Sequence, residues 1–259
     1  MTITQILILA FLAILLGWLT RKRQRVNLLL TASVLIIFWL QPALPLRYLD
    51  FFLPTFSIGF TVLAWTLTAS PEERYKKETK TSAAITLGII LLLAATRYLG
   101  LTNFLTPTRP PAIGQILLLL AIFTVGAFLL TRQRPSSSNT LLWAGFALLV
   151  AFFIILKTPA LVLIASRGWR LFIGQNANLA SSSDIHWLGY SYLAFRLIHT
   201  IRDRQSGRLP DLALGEYLTY VIFFPSFSVG PIDRAERFIK GLRQPENSYR
   251  DDILVGGQR

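Results

Sequence analysis

The run IGQILLLLAIFTVGAFLL, at residues 113–130, decides the fold class of this chain. It contains no charged residue, and a helix needs about 20 mostly apolar residues to cross the hydrocarbon core of a bilayer, with about 17 as a practical minimum. An amphipathic helix on a soluble protein would show a polar stripe at helical spacing, whereas this run is apolar all round. The run therefore predicts a transmembrane helix.

Working outward from this run, six stretches of the chain meet or approach the length of a membrane span. Pro42 and Pro45 shorten the second, and Arg97 interrupts the fourth. We therefore predict an all-α, polytopic transmembrane helical bundle, with about six spans in an N-terminal domain over residues 1–156. The predicted spans are Ile3–Leu19, Val26 to about Leu44, Phe51–Ala69, Ala83 to about Leu101, Ile113–Leu130 and Leu141–Leu156.

The composition supports the same class. Hydrophobic residues make up 53% of the 259 residues, charged residues only 15%, and the mean hydropathy is +0.52, whereas a soluble domain carries about 25% charge. The net charge of +13 falls in short clusters between apolar runs, which favours anionic lipid headgroups over nucleic acid as partners. The absence of cysteine excludes disulfides and thiolate chemistry, and two histidines leave little for a metal cluster. We expect no metal site and no cofactor.

Lysine and arginine in the loops predict the orientation, because short loops rich in positive charge remain cytoplasmic. The loops after the first, third and fifth spans carry the larger basic clusters, so the N-terminus should face outside, in the cell membrane. No basic segment precedes the first run, which therefore reads as a retained anchor rather than a cleaved signal. The predicted cytoplasmic clusters are Arg21, Lys22, Arg23 and Arg25, then Arg74, Lys76, Lys77 and Lys80, then Arg132 and Arg134, against Arg47, Arg97 and Arg109 outside.

Residues 157–259 form a second region, in which the apolar runs shorten and contain charges. The segment Ala160–Ile173 suits an interfacial helix. The polar residues from Ser181 to Asp184 are N-cap candidates for a helix from about Ile185 to Arg204. Pro225 must bend or end any helix in the apolar stretch Leu212–Val229, so we expect re-entrant or broken helices near the C-terminal end.

Four polar residues of the predicted helix share one face, because they are spaced by four, three and four positions: Tyr192, Arg196, His199 and Asp203. An arginine near the bilayer centre costs roughly 2.5 to 3.5 kcal/mol on insertion scales, so Arg196 must face protein, water or a ligand. The stripe either orients this helix against its neighbours or binds substrate. Both interpretations stay open.

A second candidate set lies in the next apolar stretch: Phe224, Pro225, Gly230 and Pro231. Two prolines and a glycine predict irregular backbone, which membranes tolerate only where protein or a water-filled cavity surrounds it. The set either lines a substrate path or simply ends a helix. Tyr217 and Tyr220 precede it, and aromatic residues at such a position usually mark the bilayer interface.

These two sets belong to a recognisable region, Trp187–Leu242. The blocks WLGYSYLAFRLIHTIRDRQSG (187–207) and YVIFFPSFSVGPIDRAERF (220–238) resemble the signature region of the membrane-bound O-acyltransferase family. The resemblance implies transfer of an acyl group to a hydroxyl or amine, with a catalytic histidine downstream of the Gly-Pro-Ile block. Neither His186 nor His199 occupies that place, so the catalytic residue is unknown.

We therefore predict the N-terminal portion of a membrane acyltransferase that acts on a hydroxyl of a lipid or an extracytoplasmic polymer. The two candidate sets would bind substrate, membrane lipids would be partners, and the acyl donor and hydroxyl acceptor are undetermined. The chain should continue past Arg259, and this portion alone should be inactive. The alternative is a transporter or a non-catalytic scaffold. Transporters often show broken helices in both halves, and here they are predicted only near the C-terminal end.

Overall fold

The computed structural model describes residues 3–19, 24–100, 105–132, 139–227 and 233–243. Within these ranges the chain contains helices and no strand, which confirms the all-α membrane bundle. Two single 3₁₀ turns lie at Ala177–Leu179 and Phe224–Ser226. The helices are α1 (Ile3–Leu19), α2 (Arg25–Leu40), α3 (Leu49–Thr68), α4 (Pro71–Tyr75), α5 (Lys77–Leu99), α6 (Ile113–Arg132), α7 (Asn139–Lys157), α8 (Pro159–Phe172), α9 (Tyr190–Gln205), α10 (Leu214–Val221) and α11 (Ala235–Arg243).

Each of the six predicted spans corresponds to one helix. In the described part of the chain, α3, α5, α6 and α7 are long and apolar enough to cross a membrane, while α1 and α2 are shorter apolar helices. The second span ends earlier than predicted, at Leu40 rather than Leu44. Gln41 is extended, because a residue that precedes a proline, here Pro42, avoids the helical region.

The bundle has two polar ends. Arg47 precedes α3 and Arg97 lies in the last turn of α5, so these two residues share one end. Arg74 and Lys76 lie at the opposite end, between α3 and α5. Which end faces the cytoplasm stays a prediction. Arg21, Lys22, Arg23 and Arg134, which contribute to that prediction, lie outside the described residues.

The start of α9 differs from the prediction. The helix begins at Tyr190 rather than Ile185, after Gly189 in the left-handed conformation with φ of 73°. Asp184 does not cap it, because the Asp184 carboxylate accepts hydrogen bonds from Ser166 Oγ and Arg170 on α8. A Cβ atom at Gly189 would also lie 2.4 Å from the Phe227 ring. Only glycine suits this position.

The aromatic residues of α10 also differ from the prediction. Tyr217 and Tyr220 are 0% and 1% exposed, so they belong to the protein core rather than to a bilayer interface. The stretch that contains them is not a span, since α10 ends at Val221 and the chain continues into the 3₁₀ turn at Phe224–Ser226. The short α10 packs against α2, α3 and α5. It therefore forms a broken helix enclosed by longer ones.

Candidate functional site in the signature region

Arg196 joins the two halves of the signature region. Its guanidinium is buried, and Nη1 donates hydrogen bonds to the carbonyls of Tyr220 and Val221, both at 3.0 Å. Nη2 donates to the carbonyl and to the hydroxyl of Ser226, at 3.1 and 2.5 Å. The Tyr220 and Val221 carbonyls end α10, where backbone acceptors have no helical partner and carry the negative pole of the helix dipole.

These contacts explain how a cation is accommodated inside the bundle. No carboxylate among the described residues pairs with Arg196. Carbonyl dipoles therefore balance its charge, together with the Tyr220 ring, whose centroid lies 5.8 Å from the guanidinium carbon. Its Nε atom is buried and has no partner among the described residues. Arg196 thus faces protein, which is one of the three surroundings that the sequence allows.

The rest of the polar stripe separates from Arg196. His199 and Asp203 line an open cleft of about 550 Å³ at the C-terminal end of α9, together with Arg202, Arg208 and Arg234. No hydrogen bond joins His199 to Asp203 in the described part of the chain. The cleft is mixed in charge but carries more cations than anions, which suits an anionic group on a ligand.

Tyr192 is half-buried one turn before Arg196 and does not line this cleft. The structure therefore divides the predicted face into an interior part at Arg196 and a solvent-reachable part at His199 and Asp203. Whether any of these residues binds substrate stays a prediction.

The Phe-Phe-Pro block contacts α1 and α2 rather than the cleft. Phe224 is buried among Leu9, Ile36 and Leu40 of α1 and α2, and its backbone N–H donates to Ser33 Oγ at 3.3 Å. Pro225 is exposed. Phe224 therefore anchors the segment against α1 and α2, while Ser226 contacts Arg196. Gly230 and Pro231 lie outside the described residues, and the binding roles of all four remain predictions.

Sequence reasoning missed two groups near this site. The fully buried Tyr217 hydroxyl lies 2.7 Å from Thr200 Oγ1 and ties α10 to α9. Thr200 follows Arg196 by four residues, so helical spacing could have placed it on the same face. Arg202 and Arg208 lie on and just after α9, close to Asp203 in sequence, whereas Arg234 comes from the segment before α11, and no local pattern could have added it to the cleft.

Comparison with known proteins gives relatives of a single kind. The chain is 32% identical over 127 residues to a teichoic acid D-alanyltransferase of Lacticaseibacillus rhamnosus, covering 48% of this chain and 27% of that protein. It is 39% identical over 74 residues to one of Streptococcus thermophilus (29% and 17%) and 28% identical over 138 residues to one of Bacillus subtilis (52% and 32%). No family model and no solved structure matches.

The matches thus cover less than a third of the length of each relative. All three relatives carry the same activity in their names, and this activity is an acyl transfer. Together with the paired signature blocks, these relatives confirm the resemblance of the chain to the membrane-bound O-acyltransferase family.

Proposed function

We propose that this chain is the N-terminal part of a membrane-embedded acyltransferase that places a D-alanyl group on a hydroxyl of a teichoic acid. The observation that carries the proposal is the similarity to three teichoic acid D-alanyltransferases from three genera. Transferase relatives favour an enzyme over the transporter or scaffold that composition leaves open. The apolar bundle fits an enzyme that works within a membrane.

The reaction sets what the whole protein must supply. The acceptor oxygen attacks the carbonyl carbon of the donor, the bond to the leaving group breaks, and a base takes the hydroxyl proton. Donors must also stabilise the negative charge that develops on the carbonyl oxygen. The resemblance implies a catalytic histidine downstream of the Gly-Pro-Ile block, so we assign none of these steps to a residue of this chain.

The role proposed for this chain is to shape the site. Arg196 acts as a positioning residue, because its hydrogen bonds hold α9 against the end of α10 and the turn at Ser226. The cleft at His199 and Asp203 lies at the end that is predicted to be cytoplasmic. Its cations would suit an anionic acyl donor arriving from that side.

Complementation tests the proposal. The complete reading frame that contains this chain is expressed in a Bacillus subtilis strain lacking its own teichoic acid D-alanyltransferase, and ester-linked D-alanine in the teichoic acid is measured after release by mild alkali. We expect the complete frame to restore D-alanine and the 259-residue chain alone to restore none. Arg167→Gln in the complete frame removes an exposed charge of α8. It serves as the control for a surface substitution and should restore as much D-alanine as the parent.

Two outcomes would contradict this assignment. A complete frame that inserts in the membrane but yields no D-alanine would refute the proposed activity. Turnover by the isolated chain that His199→Ala abolishes would show that the catalytic base lies within this chain after all.

A further inference from the structure

A second cleft lies at the end of the bundle that is predicted to be extracytoplasmic. It has a volume of about 400 Å³, and its polar lining comes from Arg47, Tyr48, Arg97, Thr108 and Arg109. These residues belong to the loop before α3, the last turn of α5 and the loop before α6. Three arginines from three segments thus meet in one depression.

The lining of this cleft contains three arginines and no acidic residue. None of the three arginines forms an ion pair with any residue that the structure describes. Segments 41–50 and 97–112 contain a single acidic residue, Asp50. Asp50 is buried behind the cleft and accepts a hydrogen bond from Thr108 Oγ1 at 2.5 Å. Arg170, whose neighbour Trp169 donates to the Arg47 carbonyl, is by contrast paired with Asp184.

The backbone around the arginines is held in place. Arg47 N–H donates to Gln175 Oε1 at 3.2 Å, and Trp169 Nε1 donates to the Arg47 carbonyl at 3.2 Å. Arg97 Nη1 donates to the Pro110 carbonyl at 2.6 Å, which fixes the loop that carries Arg109. The same hydrogen bond orders the Arg97 guanidinium, and an ordered cation loses little entropy when a ligand binds.

Tyr48 adds an independent observation. It is the only non-glycine residue with positive φ (65°) among those described, and a bulky residue in this conformation indicates strain. Its ring centroid lies 5.7 Å from the Arg97 guanidinium carbon. Strained backbone of this kind clusters at binding sites, where the surrounding structure enforces it.

We infer that this cleft binds a phosphodiester group, and that the acceptor polymer supplies it. Guanidinium groups form paired, charge-assisted hydrogen bonds with phosphate oxygens, and three arginines can engage successive phosphates of a polyanion. The choice of the polymer as source rests on the proposed function, since teichoic acids are polymers with phosphodiester links. An anionic lipid headgroup offers the same chemistry, and the experiment separates the two sources.

The test measures binding without catalysis. The chain is placed in phosphatidylcholine nanodiscs, and a fluorescent, soluble glycerol phosphate oligomer is titrated in by anisotropy. We expect Arg47→Gln and Arg109→Gln each to weaken binding about tenfold, the loss of one charge-assisted contact. Arg97→Lys, which keeps the charge, should weaken binding less than Arg97→Gln. Arg167→Gln, exposed at the same end but outside the cleft, should change affinity less than twofold, as a rim charge does.

A second arm examines lipid as the source. Phosphatidylglycerol retained on the detergent-purified chain is counted by native mass spectrometry, for the parent and for the same variants. Loss of retained lipid in the arginine variants, without any polymer binding by the parent, would support the phosphodiester site with a lipid as its ligand. Equal polymer binding and equal lipid retention in the parent and all variants would overturn the inference.

The binding test and the complementation test can fail independently of each other. Arginine-dependent binding by a protein whose complete frame transfers no D-alanine would refute the proposed function and leave the cleft assignment intact. Restored D-alanine, together with binding that no arginine variant alters, would support the proposed function and refute the cleft assignment.

Discussion

Helices α3 and α6 have the same length, 20 residues, and both are apolar enough to span a membrane, yet their surroundings are opposite. The most apolar window of α3 is 72% buried inside the protein, and that of α6 is 6% buried. The sequences differ in both hydroxyl and aromatic content, since α3 contains five residues of each kind and α6 contains two of each. Buried hydroxyls of α3 donate to backbone carbonyls three or four residues earlier, at Thr55, Ser57, Thr61, Thr66 and Thr68.

The comparison teaches that apolar length identifies a membrane span but not its place in the bundle. Hydroxyl groups that satisfy themselves within their own helix carry little cost in a dry interior. Large apolar side chains that cover α6 instead face outward, as at Leu118 and Ile122. A lipid-facing helix gains nothing from being less apolar, whereas the central helix carries hydroxyls and aromatic rings, and rings such as Phe56 and Phe60 pack against neighbouring helices.

The largest effect should come from removing the buried cation of Arg196. Arg196→Leu leaves the carbonyls of Tyr220 and Val221 and the Ser226 hydroxyl without donors, at about 1 to 3 kcal/mol for each unsatisfied group. We expect a loss of about 3 kcal/mol or more in the free energy of unfolding, measured by denaturant titration in detergent. Arg196→Lys should lose less, because it keeps the charge but not the planar fork.

Ile198→Ala on the same helix measures ordinary loss of packing and serves as the control. An Arg196→Leu variant as stable as the parent would mean that Arg196 faces lipid, and the interior placement of α9 would fail.

A leucine pair tests the difference between α3 and α6 directly. Leu53 of α3 is 3% exposed, and Leu118 of α6 is 65% exposed. In a soluble core, Leu→Ala costs about 2 to 5 kcal/mol, through the lost transfer of the side chain from water and through the cavity that is left. Hydrocarbon surroundings remove most of the transfer contribution, so Leu53→Ala should cost about 1 to 3 kcal/mol. Leu118→Ala should change stability by less than about 0.5 kcal/mol, since detergent or lipid refills the space. Equal losses in the two variants would show that α6 is covered by protein.

The contact between the two helices offers a finer test. A Cβ atom at Gly59 of α3 would lie 2.4 Å from the Phe123 ring of α6, while a Cβ atom at Gly88 of α5 would meet nothing within 4 Å. Gly59→Ala should therefore destabilise the protein by about 1 to 2 kcal/mol through overpacking. Gly88→Ala should be neutral or stabilising, because alanine favours the helix by roughly 1 kcal/mol.

Phe123→Ala combined with Gly59→Ala should recover part of the loss, since the smaller side chain removes the clash. Additive effects in this double-mutant cycle would place Phe123 away from Gly59.

Much of the site could be anticipated from the sequence, but only where local spacing carries the information. Helical spacing placed Arg196 on a polar face, and the insertion cost of a cation required that this face avoid lipid. The same reasoning could not separate Arg196 from His199 and Asp203, because the end of α10 approaches only the first of them. Nor could it place the start of α9, since Asp184 is an acceptable N-cap in isolation and is engaged by Ser166 and Arg170 in the fold.

The sequence by itself determined the membrane class, the position of the six apolar helices and the paired blocks of the signature region. These follow from run length and local order, which a chain carries regardless of its packing. Only the tertiary structure decided that α3 is central and α6 peripheral, that α10 is enclosed, and that Arg47, Arg97 and Arg109 meet in one cleft. The physical reason is that runs apolar on every side contain no periodicity to mark the packed face, and contacts between distant segments depend on shapes that no single segment encodes.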